Sequence, residues 1–327
     1  MNKDPVVCVV VLNWNNAAVT IRCLESLLMS EYSDLHLVIC DNGSTDASLD
    51  RIESWARVRA IACMKFDKED VLNHYGSGPD VRLTLIQNGE NLGYARGNNV
   101  GIRFALRHAA DYVLVLNNDT TVSPTAIANL VTFGLMYPDA ALMAPKIMQA
   151  TADGYQVSEP DGWLRSPKLS ACLIPAWLTL RIATSAEDVS KELPFRIYYA
   201  PGCAMMFHSE TFAQVGLFDE MTFLYYEEFI MAEKLKRANL ITYYVPDAVV
   251  NHLHGATTSK ITPAHKYIHA VKSQKYYFSQ YQATCWLALA ALSMKVTFAY
   301  LYRAIRDPRY RRNLMFFFRN YYFSAAD

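Results

Sequence analysis

Residues 112–122 read YVLVLNNDTTV, an apolar run that stops abruptly at Asn117, Asn118 and Asp119. An uninterrupted apolar run of this kind is typical of a β-strand that is buried on both faces of a parallel sheet. In an open parallel sheet, ligands bind beyond the carboxyl ends of the strands. The stretch therefore predicts a buried strand and a ligand site that begins where the strand ends.

Two earlier apolar runs end in the same way. The run at residues 6–12 is followed by Asn13 and Asn15, and the run at 35–40 is followed by Asp41. Because the carboxyl ends of parallel strands meet at one edge of the sheet, we expect these side chains to converge with the cluster at 117–119.

Helical spacing alternates with the apolar runs. Between and after strands at 6–12, 35–40, 82–87 and 111–116, the pattern predicts helices at 17–29, 46–55, 95–109 and from about Pro124 onward. Ser44 and Thr45 are candidates to cap the second helix. Strands that alternate with helices predict an α/β protein with a parallel sheet and right-handed crossovers.

Three stretches lack this alternation. We predict an inserted loop at residues 57–80, a long connection or a cover over the site at 151–197, and a helical region rich in Tyr and Phe at 263–322.

The charge is distributed unevenly. The chain has 327 residues and a formal net charge of zero, but residues 260–327 contain eleven Lys and Arg against two acidic residues. A basic tail on an acidic body suggests contact with an anionic surface, either nucleic acid or lipid headgroups. A solvated basic helix face is equally consistent with this composition.

One segment has about the length that spans a membrane. Residues 285–302 read CWLALAALSMKVTFAYLY, with Lys295 at the middle. A central lysine opposes insertion by roughly 2.5–3.5 kcal/mol. We therefore predict a buried or surface-lying helix rather than a spanning one.

Cysteine usage and the amino terminus indicate a reducing compartment. The seven cysteines form no CxxC pair and no zinc spacing, and several lie inside apolar runs. The first residues, MNKDPVVCVVVLNWN, lack the long apolar stretch and the small-residue cleavage site of a signal peptide. Both observations favour the cytoplasm.

Several side chains are candidates for metal binding. Asp119 ends a strand, and a hard cation held mainly by phosphate oxygens needs only one or two carboxylates from the protein. His252 and His254, two positions apart, would lie on the same face of a strand and either could bind a metal. A cap or turn role for Asp119 and simple packing for either histidine are the alternatives.

Two further stretches are candidates for other parts of a site. NLGYARGNNVGI, residues 91–102, resembles a glycine-rich phosphate loop without matching a standard one, and Asn91, Arg96 and Asn98 within it could reach a diphosphate. Glu227 and Glu228 lie in an aromatic setting that could raise the pKa of one of them for use as a general base.

The order of these stretches resembles the family 2 glycosyltransferases, and most closely the bacterial rhamnosyltransferase-like subgroup. The matching pieces are VVVLNWNN at 9–16, VICDNGSTD at 38–46, NGENLGYARGNNVGI at 88–102, LVLNNDTTVSP at 114–124, VGLFDEMTFLYYEEF at 215–229 and VPDAVVNHLHGATTS at 245–259. The likeness covers residues 5–260.

The resemblance implies a GT-A fold, which is a Rossmann-like, mostly parallel sheet with helices on both faces. It implies a catalytic domain at residues 1–260, and we predict that 261–327 form a basic, aromatic, helical appendage. It also implies inverting transfer from a nucleotide-sugar, with Mg²⁺ or Mn²⁺ held by Asp119 and His252. The resemblance assigns Asn13, Asp41, Asn91, Asn117 and Asn118 to the nucleotide-sugar, and Asn15, Arg96 and Asn98 complete the set of predicted nucleotide-sugar-binding residues.

By the same resemblance, Glu228 is the catalytic base, at a position where the family usually has Asp. The family's next Asp is Ile230 here, its usual Arg is Lys234, and its usual Gly is Asn239. These departures keep open a catalytically degenerate transferase that acts as an assembly partner. A sugar nucleotidyltransferase is disfavoured, because the stretch NWNNAAV stands where those enzymes carry a GxGxR loop.

The expected reaction is rhamnosyl transfer from a dTDP-sugar to a glycan or lipid-linked oligosaccharide in surface polysaccharide synthesis. Galactosyl or glucosyl transfer from a UDP-sugar is the alternative. We expect a cytoplasmic protein, with residues 261–327 lying on the inner face of the cell membrane or forming a homodimer interface, and no nucleic acid partner.

Overall fold

The computed structural model describes residues 4–73, 81–151, 154–158, 160–173, 192–253 and 261–323. His254 lies outside these ranges. The strands are β1 (Val7–Asn13), β2 (Leu35–Asp41), β3 (Cys63–Asp67), β4 (Leu83–Gln87), β5 (Tyr112–Asn117), β6 (Thr120–Val122), β7 (Ala140–Thr151), β8 (Gly154–Val157), β9 (Phe195–Ile197), β10 (Ala204–His208) and β11 (Ile241–His252).

The helices are α1 (Ala17–Leu28), α2 (Ser48–Val58), α3 (Lys68–Leu72), α4 (Gly93–Arg107), α5 (Ala126–Met136), α6 (Leu169–Leu173), α7 (Glu210–Val215), α8 (Glu227–Arg237), α9 (Pro263–Gln280), α10 (Trp286–Arg306), α11 (Pro308–Arg312) and α12 (Leu314–Phe318). A short 3₁₀ helix, Pro160–Leu164, and a π-helix, Arg319–Phe323, complete them.

All the described strands belong to one mixed sheet, and its main order is β3-β4-β2-β1-β5-β10-β7-β11-β6. The first five are parallel, as the alternation of strand and helix predicts. Strand β10 is antiparallel to both of its neighbours, and β7 and β11 are again parallel to each other. Helices pack on both faces, so the α/β prediction is confirmed.

The central strands are apolar because both of their faces are covered. Residues 7–11 of β1 and 112–116 of β5 are buried. Helix α4 lies so close to β1 that a Cβ atom at Gly101 would come within 2.5 Å of Val10 Cγ1. Only a residue without a side chain permits this approach, which explains the glycine spacing in NLGYARGNNVGI.

Residues 57–73 are not simply an inserted loop, so that part of the prediction was wrong, and residues 74–80 lie outside the described ranges. Residues 57–73 contain the end of α2, the edge strand β3 and the short helix α3. None of the β3 residues is fully buried, and charged residues occupy it, so it lacks the apolar signature of the central strands.

The predicted caps of α2 were also wrong. The helix begins at Ser48 and has no side-chain cap. The Ser44 hydroxyl instead donates to Asp41 Oδ1 at 2.6 Å, within the polar cluster at the strand ends.

The carboxyl-terminal helices build a second apolar cluster beside the sheet. Its fully buried members include Tyr277, Tyr300 and Phe317, and Ile230 of α8 also belongs to it. Helix α10 buries the face that carries Leu292 and Val296. In the part of the chain that is described, no helix has the length and apolarity needed to cross a bilayer. The boundary at residue 260 stays a prediction.

Candidate active site

The polar residues that end β1, β2 and β5 converge as predicted. Asn13 Nδ2 donates to Asp41 Oδ1 at 2.7 Å, and Asn13 Oδ1 accepts from Thr20 Oγ1 at the same distance. The Thr20 hydroxyl in turn accepts from Asn118 Nδ2 at 2.9 Å. This chain of hydrogen bonds fixes Asn118 relative to the two neighbouring strand ends, because each buried polar group finds its partner in the next.

A cavity of about 130 Å³ opens beside this network. Its walls combine aromatic and apolar side chains with amides, a pattern that suits a flat ligand carrying a few polar groups. The lining residues are Leu12, Trp14, Asn42, Asn91, Gly93, Tyr94, Asn117, Asn118, Asp119, Phe223, Leu224 and Ile261.

One wall of this small cavity depends on Gly93. The backbone there has φ of +79°, and a Cβ atom would collide with the carbonyl oxygen of Phe223. Tyr94 N donates to that carbonyl at 2.8 Å, which fastens the loop before α8 to the start of α4. The glycine therefore brings Phe223 and Leu224 to the cavity.

A larger cleft of about 710 Å³ adjoins the small cavity. Tyr94, Asn117, Asp119 and Leu224 line both, so the two are continuous. The other lining residues are Ile147, Gln149, Ser158, Trp163, Tyr199, Pro201, Gly202, Cys203, Tyr225, Glu227, Glu228, His252 and Lys266. A ligand that extends from one space into the other must pass Asp119.

Asp119 and His252 form the candidate metal pair. Strand β11 pairs with β6 so that His252 lies opposite Thr120, and His252 Nε2 is 3.2 Å from Asp119 Oδ1. Burial lowers the pKa of His252, but hydrogen bonds to Asp119 and Cys203 outweigh it and raise the pKa to about 10. Without a metal, the pair is therefore a carboxylate beside an imidazolium, and a bound cation would displace the imidazolium proton.

The protein supplies few side chains that could bind a metal ion here. Among the residues that the structure describes, no three His, Cys, Asp or Glu side chains gather around one point. One carboxylate and one imidazole fit Mg²⁺ or Mn²⁺ only if the ligand supplies further oxygens, as a diphosphate does. The two protein groups lie in the cleft wall, where such a ligand can reach them.

Two further acidic side chains, Glu227 and Glu228, line the same cleft. Burial, and then the charge of neighbouring Glu228, raise the pKa of Glu227 to about 8. Burial also raises the pKa of Glu228. A Cβ atom at Gly202 would come within 3.9 Å of Glu228 Oε2, so this carboxylate lies beside the cleft floor. Both pKa shifts are upward, and a pKa of about 8 keeps Glu227 mostly protonated at neutral pH.

The backbone before these carboxylates is in an unusual conformation. Tyr225 and Tyr226 both adopt the left-handed region, with φ of +72° and +74°. Such a conformation costs on the order of 1–3 kcal/mol for each non-glycine residue and tends to occur at active sites. Helix α8 starts directly after this turn. The backbone conformation of Tyr225 and Tyr226 therefore sets the direction in which the side chains of Glu227 and Glu228 point.

The structure brings some predicted residues to the cavities and not others. Asn91, Asn117 and Asn118 line the small cavity, Glu228 lines the cleft, and His252 and Asp119 meet as expected. Asn13 and Asp41 lie behind the wall, in the hydrogen-bond network described above. Asn15 Oδ1 instead accepts from Thr45 N at 2.6 Å and holds the loop after β2.

Arg96 and Asn98 are not brought to either cavity. The guanidinium of Arg96 lies 3.7 Å from Glu220, and buried Asn98 donates to the carbonyl oxygen of Tyr94 at 3.0 Å. The reason is the helical period: α4 already begins at Gly93, so these residues project from its sides instead of its amino-terminal end.

Sequence reasoning missed the aromatic walls and one cation. Trp14 and Phe223 line the small cavity, and Lys266 of α9 lines the cleft. The odd placement of Trp14 between two predicted site residues was a usable signal. Nothing in the pattern around Lys266 pointed to the cleft, because the segment 261–327 reads as an appendage.

Comparisons with known proteins agree with this geometry. Residues 8–168 match the family described as Glycosyl transferase family 2. The chain is 26% identical over 250 residues to the N-acetylglucosaminyl-diphospho-decaprenol L-rhamnosyltransferase of Mycobacterium tuberculosis, covering 76% of each chain. It is 28% identical over 211 residues to the low-salt glycan biosynthesis hexosyltransferase Agl10 of Haloferax volcanii, covering 63% of each.

Two solved structures share the fold at low identity. GalNAc-T7 with UDP, GalNAc and Mn²⁺ superposes with a TM-score of 0.59 at 17% identity, covering 86% of this chain and 50% of that one. The mannosyltransferase PcManGT from Pyrobaculum calidifontis, in complex with GDP-Man and Mn²⁺, gives 0.55 at 18%, covering 94% of this chain and 77% of that one. Residues 8–168 of the chain therefore match a family 2 glycosyltransferase domain, and the mixed sheet that contains them has the GT-A fold.

Proposed function

We propose that the protein is a metal-dependent, inverting glycosyltransferase that moves a sugar from a nucleotide-diphosphate donor to an acceptor hydroxyl. One observation carries this proposal: Asp119 lies in the wall shared by the small cavity and the large cleft, and Glu228 lies in the cleft alone. A donor that occupies both spaces would place its diphosphate at Asp119 and its sugar toward Glu228.

The small cavity suits the nucleoside. Trp14 and Phe223 offer aromatic surface, while Asn91 and Asn118 offer amide donors and acceptors to a base or a ribose. The network behind them, from Asp41 through Asn13 and Thr20, holds Asn118 in place before any ligand arrives.

Asp119 and His252 would hold the divalent metal. When bound, Mg²⁺ or Mn²⁺ supplies a Lewis acid that stabilises negative charge on the departing diphosphate. Lys266 adds a cation to the same cleft, which otherwise contains the carboxylates of Asp119, Glu227 and Glu228. This positive charge offsets part of the repulsion that a diphosphate would meet there.

Glu228 would act as the general base. Its carboxylate accepts the proton of the acceptor hydroxyl as the acceptor oxygen bonds to the anomeric carbon, and the bond from that carbon to the diphosphate oxygen breaks. Because attack and departure occur on opposite faces, a single displacement inverts the anomeric configuration. Burial raises the pKa of Glu228, which makes its carboxylate a stronger base than an exposed one.

The donor sugar is proposed from the relatives. The mycobacterial relative is named a rhamnosyltransferase, which supports rhamnosyl transfer from a dTDP-sugar. Agl10 is named a hexosyltransferase, which supports the alternative of galactosyl or glucosyl transfer from a UDP-sugar. The non-catalytic alternative is a degenerate transferase that serves as an assembly partner. It is kept because Glu228 and Ile230 stand at two positions where the family usually has Asp.

The acceptor and setting follow from the same relative. Its name describes an acceptor carried on diphospho-decaprenol, a lipid, so we propose a glycan or lipid-linked oligosaccharide as the acceptor in surface polysaccharide synthesis. In this proposal residues 1–260 form the catalytic domain, and 261–327 contact either the cytoplasmic face of the membrane or a second copy of the chain.

Calorimetric titration with UDP, dTDP and GDP, each with and without Mn²⁺, tests the proposal. We expect one nucleotide to bind tightly in the presence of metal. Asp119→Ala should abolish the metal-dependent part of its affinity. Asp247→Ala, which removes an exposed carboxylate from the same strand as His252, should bind like the wild type. Binding of none of them by folded protein would favour the degenerate scaffold, and unchanged metal-dependent affinity in Asp119→Ala would remove Asp119 from the site.

A further inference from the structure

Helix α10 exposes a long apolar face. Leu287, Met294, Phe298, Tyr302 and Ile305 have relative exposures of 61%, 59%, 71%, 53% and 78%. Their spacing of three, four or seven residues places them along one side of the helix, which we call the outer face. At about 1.5 Å per residue, the outer face is roughly 27 Å long.

The opposite side of α10 explains why the helix stays attached to the protein. Leu292, Val296, Tyr300 and Ala304 are buried in the second apolar cluster. The helix is therefore apolar on two sides, and only one of them has a partner in the part of the chain that is described. Isolated exposed apolar residues are ordinary, but a contiguous stripe of this size marks an interaction surface.

The surroundings of the outer face are strongly basic. Residues 261–323 contain ten Lys and Arg and a single acid, Asp307. Asp307 is bound by Arg309, with an Nη2 to Oδ2 distance of 2.8 Å. Arg311, Arg312 and Arg319 are exposed and take part in no ion pair with a described residue. The segment that contains the outer face therefore carries an excess of positive charge.

We infer that the outer face of α10 docks in the headgroup region of an anionic lipid bilayer. Apolar side chains flanked by arginines are the combination by which a helix lies in the plane of a membrane surface. Each basic residue close to an anionic surface adds roughly 1 kcal/mol of attraction. The helix lies on the bilayer and does not cross it, in keeping with the absence of a spanning helix among the described residues.

Charge decides between a bilayer and a second copy of the chain. In a two-fold dimer built on the outer face, the basic segments 261–323 of the two copies would be brought side by side. Like charges oppose that contact, whereas anionic headgroups neutralise them. The inference rests on the proposed function and adds to it the surface at which a lipid-linked acceptor would be met. Binding to lipid can be measured whether or not the protein transfers a sugar.

Co-sedimentation of the full-length protein with vesicles tests the inference. The vesicles are phosphatidylcholine alone, or phosphatidylcholine with one third phosphatidylglycerol. We expect binding to the anionic vesicles that weakens as salt is added. The double variant Phe298→Glu with Ile305→Glu should reduce the bound fraction roughly tenfold or more, because it places charge on the inserted face. Arg311→Glu with Arg312→Glu should reduce it by removing the attraction.

A matched control comes from α2. Val58 is 86% exposed and lies between Arg57 and Arg59, which are paired with Glu53 and Glu25, so Val58→Glu places the same charge at an exposed apolar position away from the outer face. It should bind vesicles like the wild type. Equal loss in Val58→Glu, or no binding by folded wild-type protein, would overturn the inference. A dimer at micromolar concentration that the Phe298 and Ile305 changes dissociate would assign the outer face to a second copy.

Nucleotide titration of the same variants separates this inference from the proposed function. The outer face is not part of either cavity, so its variants should bind the nucleotide and metal like the wild type. Loss of vesicle binding with normal nucleotide binding supports both proposals. Nucleotide binding without any vesicle binding contradicts the membrane inference alone.

Discussion

In the proposed mechanism, Glu228 is the residue on which the chemistry depends. Glu228→Gln keeps the size of the side chain and removes its ability to accept a proton. We expect donor and metal binding to stay unchanged while the rate of sugar transfer falls by roughly 10²–10⁴-fold, the usual contribution of a general base. Transfer is measured with the donor identified by titration and a soluble acceptor analogue. Near-normal turnover in Glu228→Gln would assign the base to Glu227 instead.

Glu227 makes the stability of the protein depend on pH. Its pKa is about 8 in the folded protein, against an ordinary value of 4.5, so the folded state holds this proton more tightly than the unfolded state. The resulting stability is fully present below pH 4.5 and is lost as the pH rises through about 8. For a pKa shift of this size, Glu227 contributes at most about 5 kcal/mol to the free energy of unfolding.

We therefore expect Glu227→Gln to lose less stability than the wild type when the pH rises from 5 to 8. The difference between the two proteins, measured by urea unfolding at several pH values, isolates this carboxyl from the other titrating groups. A difference that does not change with pH, or one that grows in the opposite direction, would contradict a buried protonated Glu227.

Among the site residues, those at strand ends were predictable, whereas Arg96 and Asn98 on helix α4 were not. Asn117, Asn118 and Asp119 could be placed because the end of an apolar run fixes both the position and the direction of the residues directly after it. Arg96 and Asn98 could not, because their direction depends on which residue begins α4. A shift of one residue in that start turns every side chain by about 100°.

At the scale of elements, helix α8 connects the two apolar clusters. Ile230 packs in the second cluster, while Met231 and Leu235 pack in the main core. Polar contacts reinforce the connection: Glu233 accepts from Gln282 Nε2 at 2.7 Å, and Asp219, just before the helix, accepts from Tyr276 at 2.8 Å. The helix that carries the candidate base therefore depends on the carboxyl-terminal helices.

Ile230→Ala should weaken both clusters together. Ile230 is buried, so its truncation should lower the free energy of unfolding by roughly 2–5 kcal/mol. We expect a single transition in which tryptophan fluorescence and far-ultraviolet circular dichroism coincide. Leu135→Ala, at an exposed position of α5, should change stability by no more than about 0.5 kcal/mol. Two separate transitions in the wild type would instead favour independent domains that divide near residue 260.

Elements differed in how far the sequence could predict them. The strands β1, β2 and β5 could be predicted because all but one residue of each is buried, which gives a nearly continuous apolar run. Edge strand β3 could not be predicted in this way, because it is partly exposed to solvent and contains the charged residues Lys65 and Asp67. The antiparallel placement of β10 could not be predicted either, since its pairing with β5 and β7 depends on residues far apart in the chain.

At the scale of the whole molecule, the α/β class and the site edge were predictable from local patterns, while the walls of the cleft were not. Those walls combine side chains from distant parts of the chain: Tyr94, Trp163, Glu228 and Lys266. No local period relates them, because only the folded sheet and the docked helix α9 bring them together. The segment 261–323 thus contributes to the cleft as well as to the outer face.

The pairing of β6 with β11 has a consequence for how the enzyme is made. His252 leaves the ribosome about 130 residues after Asp119, which at cellular rates of synthesis is roughly 7–26 seconds later. The parallel half of the sheet can form in that interval. A nascent or prematurely terminated chain that ends before β11 would therefore contain most of the proposed nucleotide cavity but lack His252, the proposed second metal ligand, so in the proposed mechanism activity would appear only when synthesis is almost finished.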